Sequence, residues 1–179
     1  MQEFTITAFT EHQTGIMQRV VSIFTRRHIN IDSVSVSKSS MSGIHRFTIV
    51  VHVTEEMVKK LVAQIEKQID VVKAFYDTQD DIVYQELALY KVPTAAFTNS
   101  DKVETLIRAY NARVLSIEPE YIVVEKTGHQ QETEALLEEF KKIGIYEFAR
   151  SGRVAINKPM ERLNKYLQSL EMEEGMNWF

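Results

Sequence analysis

The stretch Glu11-His12-Gln13-Thr14-Gly15 has the residues best suited to chemistry, and that chemistry is binding. It joins an alternating, strand-like segment to one with helical spacing. A helix start leaves backbone N–H groups unpaired and carries partial positive charge. A carboxylate is held there without any cationic side chain. Gly15 either lets a ligand approach the backbone closely or simply permits a tight turn, and both readings stand at this point. The remaining chemistry-bearing residues form no constellation. His12, His28, His45, His52 and His129 are scattered without metal-ligand spacing, so no metal site is expected. The acid pairs Glu55-Glu56, Asp80-Asp81, Glu138-Glu139 and Glu173-Glu174 read as caps and solvated faces, because adjacent side chains on a helix diverge. Arg46 reads as a surface arginine. No Walker loop, GxGxxG, HExxH or GxSxG is present, and no catalytic residue is assigned.

Composition narrows the classes further. The 179 residues are 44% hydrophobic and 26% charged with net charge -4, which suits a globular protein and disfavours a nucleic-acid surface. The absence of cysteine excludes disulfides, zinc-thiolate sites and thiol nucleophiles. Met1 to Ile6 has neither a basic start nor an apolar core of signal-peptide length, and no apolar run approaches the roughly 20 residues of a membrane helix. A cytoplasmic protein is expected.

The elements that must position the loop follow from periodicity. Phe4 to Phe9 alternates as a half-buried strand. Ile16, Val20, Ile23 and Phe24 form a helical stripe that ends at Asn30. Ser33 to Ser39 (SVSVSKS) alternates strictly, with serines on one face and valines on the other. Ser42-Gly43 marks a turn before a strand through Phe47, Ile49, Val51 and Val53, on which His52 faces solvent. Thr54 caps a helix with Val58, Leu61, Val62, Ile65 and Ile69 inward, and Val71 to Asp77 closes the unit. After a polar hinge at 78–81 the order recurs. Glu86 to Val92 is a strand ending at Pro93. Ser100 caps a helix with Val103, Leu106, Ile107 and Tyr110 inward. Arg113 to Ile117 and Tyr121 to Lys126 flank a turn at Pro119. A helix spans Gln131 to Lys142, and one or two strands close around Gly152.

The pattern is α+β: two ferredoxin-like β-α-β-β-α-β sandwiches in tandem, residues 1–78 and 83–159, with a helical or disordered tail at 160–179. Strand order is not legible. Domains of about 80 residues bury only roughly 60% of their unfolded surface, which favours docking or dimerisation. The tail ends in Trp178-Phe179, an apolar pair that suits docking on a partner.

Phe4 to Ser37 resembles an ACT domain, and more narrowly that of the acetolactate synthase (acetohydroxyacid synthase) small-subunit family. That family has a hydrophobic strand, a Glu-Asn-x-x-Gly loop, a helix rich in Val and Phe, and a segment like Arg-Gly-Tyr-Asn-Ile-x-Ser-Leu. Here stand Glu11-His12-Gln13-Thr14-Gly15, Arg19-Val20, Phe24, and Arg27-His28-Ile29-Asn30-Ile31-Asp32-Ser33-Val34. Glu86-Leu87-Ala88-Leu89-Tyr90-Lys91-Val92 resembles the family's Glu-hydrophobic-Lys-Val strand. Glu147-Phe148-Ala149-Arg150-Ser151-Gly152 resembles its Glu-x-x-Arg-[ST]-Gly segment. The likeness covers residues 1 to 159.

The resemblance implies a non-catalytic regulatory subunit without cofactors of its own. Its partner would be a large catalytic subunit carrying thiamine diphosphate, magnesium and FAD, which condenses two pyruvates, or pyruvate with 2-oxobutyrate. It further implies activation of that subunit, feedback by valine or a related branched-chain amino acid, and a homodimer through ACT domains with the effector at the interface. Carried over residue by residue, the effector site is His12, Gly15, Ile16, Asn30 and Ile31. Backbone N–H groups near Gly15 and Ile16 would take the carboxylate, Asn30 the ammonium group or the dimer partner, and Ile31 the aliphatic side chain. Two positions depart from the pattern: His12 stands for asparagine and His28 for glycine, each a bulkier group that titrates near neutrality. A free-standing ACT sensor of transcription or another enzyme is the alternative. A small hydrolase of the acylphosphatase kind needs a loop arginine, and residues 11–15 contain none. An RNA-recognition module needs sheet-face aromatics, and Phe47 is the lone candidate.

Overall fold

Alternating strands and amphipathic helices, repeated along the chain, condense into two sheets that each carry helices. The computed structural model describes residues 1–98 and 102–158. Residues 1–83 together with 153–158 make one unit, and 84–152 the other.

In the first unit β1 (Gln2–Glu11), β2 (Ser33–Lys38), β3 (Ile44–Val53) and β4 (Val71–Asp77) stand in the order β2-β3-β1-β4. Every neighbouring pair is antiparallel. This is the order of a ferredoxin-like sheet. Helices α1 (Ile16–Thr25) and α2 (Glu55–Glu66) cover one face. Their stripes, Ile16, Val20, Ile23 and Phe24 with Val58, Leu61, Val62 and Ile65, close over Phe4, Ile6, Phe47, Ile49 and Val51. Each such side chain contributes about 1.5–3 kcal/mol through removal from water. Thr54 caps α2 as expected, its hydroxyl accepting from the Met57 N–H at 3.3 Å.

Three expectations for this unit need correction. The central strand is not half-buried: Thr5, Thr7 and Phe9 on its other face are as buried as Phe4 and Ile6. Arg153 is one cause, since its guanidinium donates to Glu3 at 2.7 Å and to the Thr5 hydroxyl at 2.9 Å. Helix α1 ends at Thr25 rather than Asn30, because His28 takes φ 53° and turns the chain out of the helix. Ile69 lies beyond the end of α2 and is 99% exposed, off the stripe. His52 is exposed as expected, yet its Nδ1 lies 2.7 Å from Asp32.

After a short 3-10 turn (Gln79–Asp81), β5 runs from Ile82 to Pro93. Its alternate residues Tyr84, Glu86, Ala88, Tyr90 and Val92 are buried. β6 (Arg113–Ile117), β7 (Tyr121–Gly128) and β8 (Glu147–Arg150) join it in the order β6-β7-β5-β8, the same topology as the first sheet. β9 (Val154–Asn157) also pairs with β5. A one-turn helix α3 (Ala95–Thr98), α4 (Lys102–Ala109) and α5 (Gln130–Ile143) complete the elements. Val103, Leu136 and Phe140 pack on Ala88, Tyr90, Ile122 and Val124. The Tyr90 hydroxyl donates to the Thr133 carbonyl at 2.6 Å, so the buried phenol is satisfied. Burial raises its pKa above the ordinary phenol value. Glu132 accepts from the His129 N–H at 2.8 Å and fixes the start of α5. The expected cap at Ser100 and the tail at 160–179 lie outside the described residues. Among those described, no helix is long and apolar enough to cross a membrane.

Candidate effector site

β1 hands the chain to α1 through a loop held on both sides. The Glu11 N–H donates to the Asp70 carbonyl at 2.8 Å, and the His12 N–H donates to the Gly43 carbonyl at 3.0 Å. Arg19 of α1 pairs with Asp70 and ties the helix to the same neighbour. Gly15 caps α1 at φ 81°, with no side-chain cap and no acid in the first turn. A Cβ at Gly15 would meet nothing within 4 Å, so the backbone conformation demands glycine, not crowding. The approach to the helix start is therefore open. The Ile16 side chain is buried in the core, and its N–H already donates to the Gln13 carbonyl at 3.3 Å. Among the described residues, the N–H groups of Met17 and Gln18 have no such acceptor. These donors, one and two residues beyond Ile16, are the ones left for an anion.

Two groups join this end that the sequence did not single out. Strand register sets Thr10, His45 and Lys38 in one row across β1, β3 and β2. The His12 and His45 rings stack at 4.1 Å with planes 30° apart. Desolvation first, then the neighbouring His12 and Lys38, lower the His45 pKa. Thr10 is fully buried beneath them with no hydrogen-bond partner for its hydroxyl. The end of the sheet at the loop is thus rich in cationic and titratable groups. Arg46, one position along, is not the surface arginine expected: its guanidinium lies 5.4 Å from the Phe9 ring centre, and burial lowers its pKa.

Asn30 and Ile31 lie at the far end of α1. Asn30 is exposed, and Ile31 packs half-buried against the core. The left-handed His28 precedes them, which is why glycine suits that position and imidazole is carried with strain. Ten helical residues separate Gly15 from Thr25, a span of about 15 Å. β2 starts at the Asn30 end and runs back toward the loop end. One chain therefore brings His12, Gly15 and Ile16 together and keeps Asn30 and Ile31 apart from them. β2 is an edge strand, with Val34 38% exposed on it.

The second pair of motif stretches has a different job. Arg150 on β8 reaches the buried Glu86 on β5 at 3.5 Å and Glu134 on α5 at 3.1 Å. Ser151 continues the clamp, its hydroxyl accepting from the Leu87 N–H at 2.9 Å and its own N–H donating to the Leu87 carbonyl. These residues lock the second sheet and leave no free reactive group, so they read as structural.

Comparison with known proteins follows the same division. Residues 6–73 match the family model for the acetohydroxyacid synthase small subunit-like ACT domain, and residues 85–159 match that for the small subunit of acetolactate synthase. The acetolactate synthase small subunit of Bacillus subtilis is 40% identical over 151 residues, covering 84% of this chain and 87% of that one. A probable acetolactate synthase small subunit of Methanothermobacter thermautotrophicus is 31% identical over 153 residues, covering 86% and 91%. The crystal structure of the Thermotoga maritima small subunit superposes with a TM-score of 0.81 at 25% identity, over 89% of this chain and 99% of that chain.

Proposed function

From the premise that this chain belongs to the acetolactate synthase small-subunit family, we propose that it activates a separate catalytic subunit and relays feedback by valine or a related branched-chain amino acid. The catalytic subunit would carry thiamine diphosphate, magnesium and FAD. This chain would supply no reacting group, only a binding equilibrium that biases the partner.

The observation that carries the sensing half is the separation of the effector residues along α1. A small amino acid cannot span α1, about 15 Å long, to touch the Gly15 and Asn30 ends of one chain. Two copies related by a two-fold axis, with their β2 edges side by side and antiparallel, set the Gly15 loop of one against the Asn30 end of the other. The open N–H groups of α1 then take the effector carboxylate. The Asn30 side-chain oxygen accepts from its ammonium group, and the Ile31 surface holds its aliphatic chain. An effector inside that interface favours one packing of the dimer over another. Linkage limits its effect on the catalytic subunit to its differential affinity for the two states.

The test is acetolactate formation by the catalytic subunit of the same source, without this chain, with it, and with valine added. A several-fold rise on addition supports activation, and a valine-dependent fall supports feedback. An unchanged rate, with no co-elution of the two chains, overturns the proposal in favour of a free-standing sensor.

A further inference from the structure

The first sheet is buried on both faces, yet α1 and α2 pack on only one of them. Register sets the residues of the other face in rows: Thr5, Val50 and Ser33, then Thr7, Thr48 and Ser35, then Phe9, Arg46 and Ser37. Thr5, Thr7, Phe9, Thr48 and Val50 are each at most 4% exposed. The described chain of this unit meets that face at one end, where Arg153 donates to Glu3 and Thr5, and Asn157 donates to Asp77. The rows of Thr7 and Phe9 lie further along β1, and no described helix of this unit lies over them. A sheet face so withdrawn from water needs a second layer. Arg46 Nε and Nη2 and Ser33 Oγ are also buried there, with no hydrogen-bond partner among the described residues. The acid of the same face, Asp77, already accepts from Asn157. The missing layer must therefore bring apolar side chains and negative charge.

The chain beyond Lys158 has both. Lys158 is tied down just past β4, its N–H donating to the Asp81 carbonyl at 2.9 Å and its Nζ to the Asp80 carbonyl at 2.8 Å. Pro159 suits the first turn of a helix. Met160, Leu163, Tyr166, Leu167 and Leu170 then recur at helical spacing as one stripe. Glu171, Glu173 and Glu174 follow, before Gly175. A helix over 160–172 is about 20 Å long, enough to cross four strands spaced about 4.8 Å apart. A second copy of this face would bring another Arg46 and more hydroxyls, so charge favours the acidic segment.

We propose that residues 160–174 dock on this face as an amphipathic helix, so that the first sheet is layered between helices on both sides. The apolar stripe lies on the threonine methyls, Val50 and Phe9, and the acidic run supplies a counter-charge to Arg46. The segment covers a face and leaves the β2 edge open, so the inference does not rest on the effector reading.

The chain has no cysteine, so Gln168→Cys, on the polar side of the stripe, takes a single nitroxide label. In the ¹⁵N-labelled full chain, that label broadens the amides of Thr7, Thr48 and Ser35 and spares those of Val20 and Leu61 on α1 and α2. The same label carried by a ¹⁴N copy, mixed with an unlabelled-cysteine-free ¹⁵N chain, broadens nothing. Adding Leu167→Glu to the labelled chain removes the broadening and speeds hydrogen exchange at Thr7 and Thr48 at least about tenfold. Unchanged amides in the second unit show that each variant is folded. Broadening of the α1 and α2 amides alone overturns the proposal, because the segment then lies elsewhere. Broadening only in the mixture overturns it in favour of the tail of a second copy. No broadening in the free chain overturns it too, and tail amides that shift on adding the catalytic subunit then assign the tail to that partner.

Discussion

Mixing two defective variants tests whether the effector site is shared between copies. Gly15→Glu places a carboxylate where the effector carboxylate should sit. The position has open space around it, so the cost to folding is confined to the positive φ, about 1–2 kcal/mol. Asn30→Ala removes a charge-assisted hydrogen bond from an exposed side chain and spares the core. That bond contributes roughly 1.5–3 kcal/mol, so each variant alone loses about ten- to a hundredfold in valine affinity. The two positions flank α1, whose length of about 15 Å is more than one amino acid spans. If the site is built across a two-fold axis, a heterodimer of the two variants has one site with both defects and one with neither. Equimolar mixing after subunit exchange gives about half heterodimers, so about a quarter of the wild-type sites return at wild-type affinity. Equilibrium dialysis with labelled valine reads this as a second, tight class of binding. A mixture that binds only as the sum of its parents refutes the shared site. Full affinity retained by Asn30→Ala refutes the role of that end altogether.

Other outcomes follow from single contacts. Desolvation, His12 and Lys38 hold the His45 pKa below 6.5, so the folded chain resists protonation there more than the unfolded chain does. Stability of the free protein therefore falls as pH drops below 6.5, while valine binding tightens because protonation adds positive charge beside the carboxylate site; His45→Gln flattens both trends in paired melting and binding curves. Leu61→Ala, at a fully buried position of α2, costs about 2–5 kcal/mol in urea unfolding, and a loss below 1 kcal/mol would contradict the packing. Arg150→Met takes the guanidinium from buried Glu86 and from Glu134 and destabilises the second unit by about 3–5 kcal/mol, read as an earlier urea transition of Tyr90. Thr54→Ala removes the cap of α2 and costs about 1 kcal/mol in the same assay.

Much of the fold was legible because its signals are local. The strict alternation of SVSVSK, the stripes of α1 and α2 and the Thr54 cap each depend on neighbours within one turn or one strand, so periodicity placed them. The loop Glu11 to Gly15 was legible for the same reason, since a left-handed glycine before an apolar stripe marks a helix start. The misreadings share a non-local cause. Thr5 and Thr7 look solvent-facing by polarity, but a central strand has neighbours on both edges, and Arg153 from far along the chain sits on the other face. Ile69 looked inward only while the helix was assumed to continue past Glu66. By itself, then, the sequence determined the element order, the helix faces, and the family to which two motif pairs belong. Tertiary structure alone decided that His45 and Lys38 stand beside His12 and that Asn30 stands a helix length from Gly15. Each of these turns on which strand lies beside which. That choice is made by burial summed over the whole sheet, and no short stretch of sequence carries it.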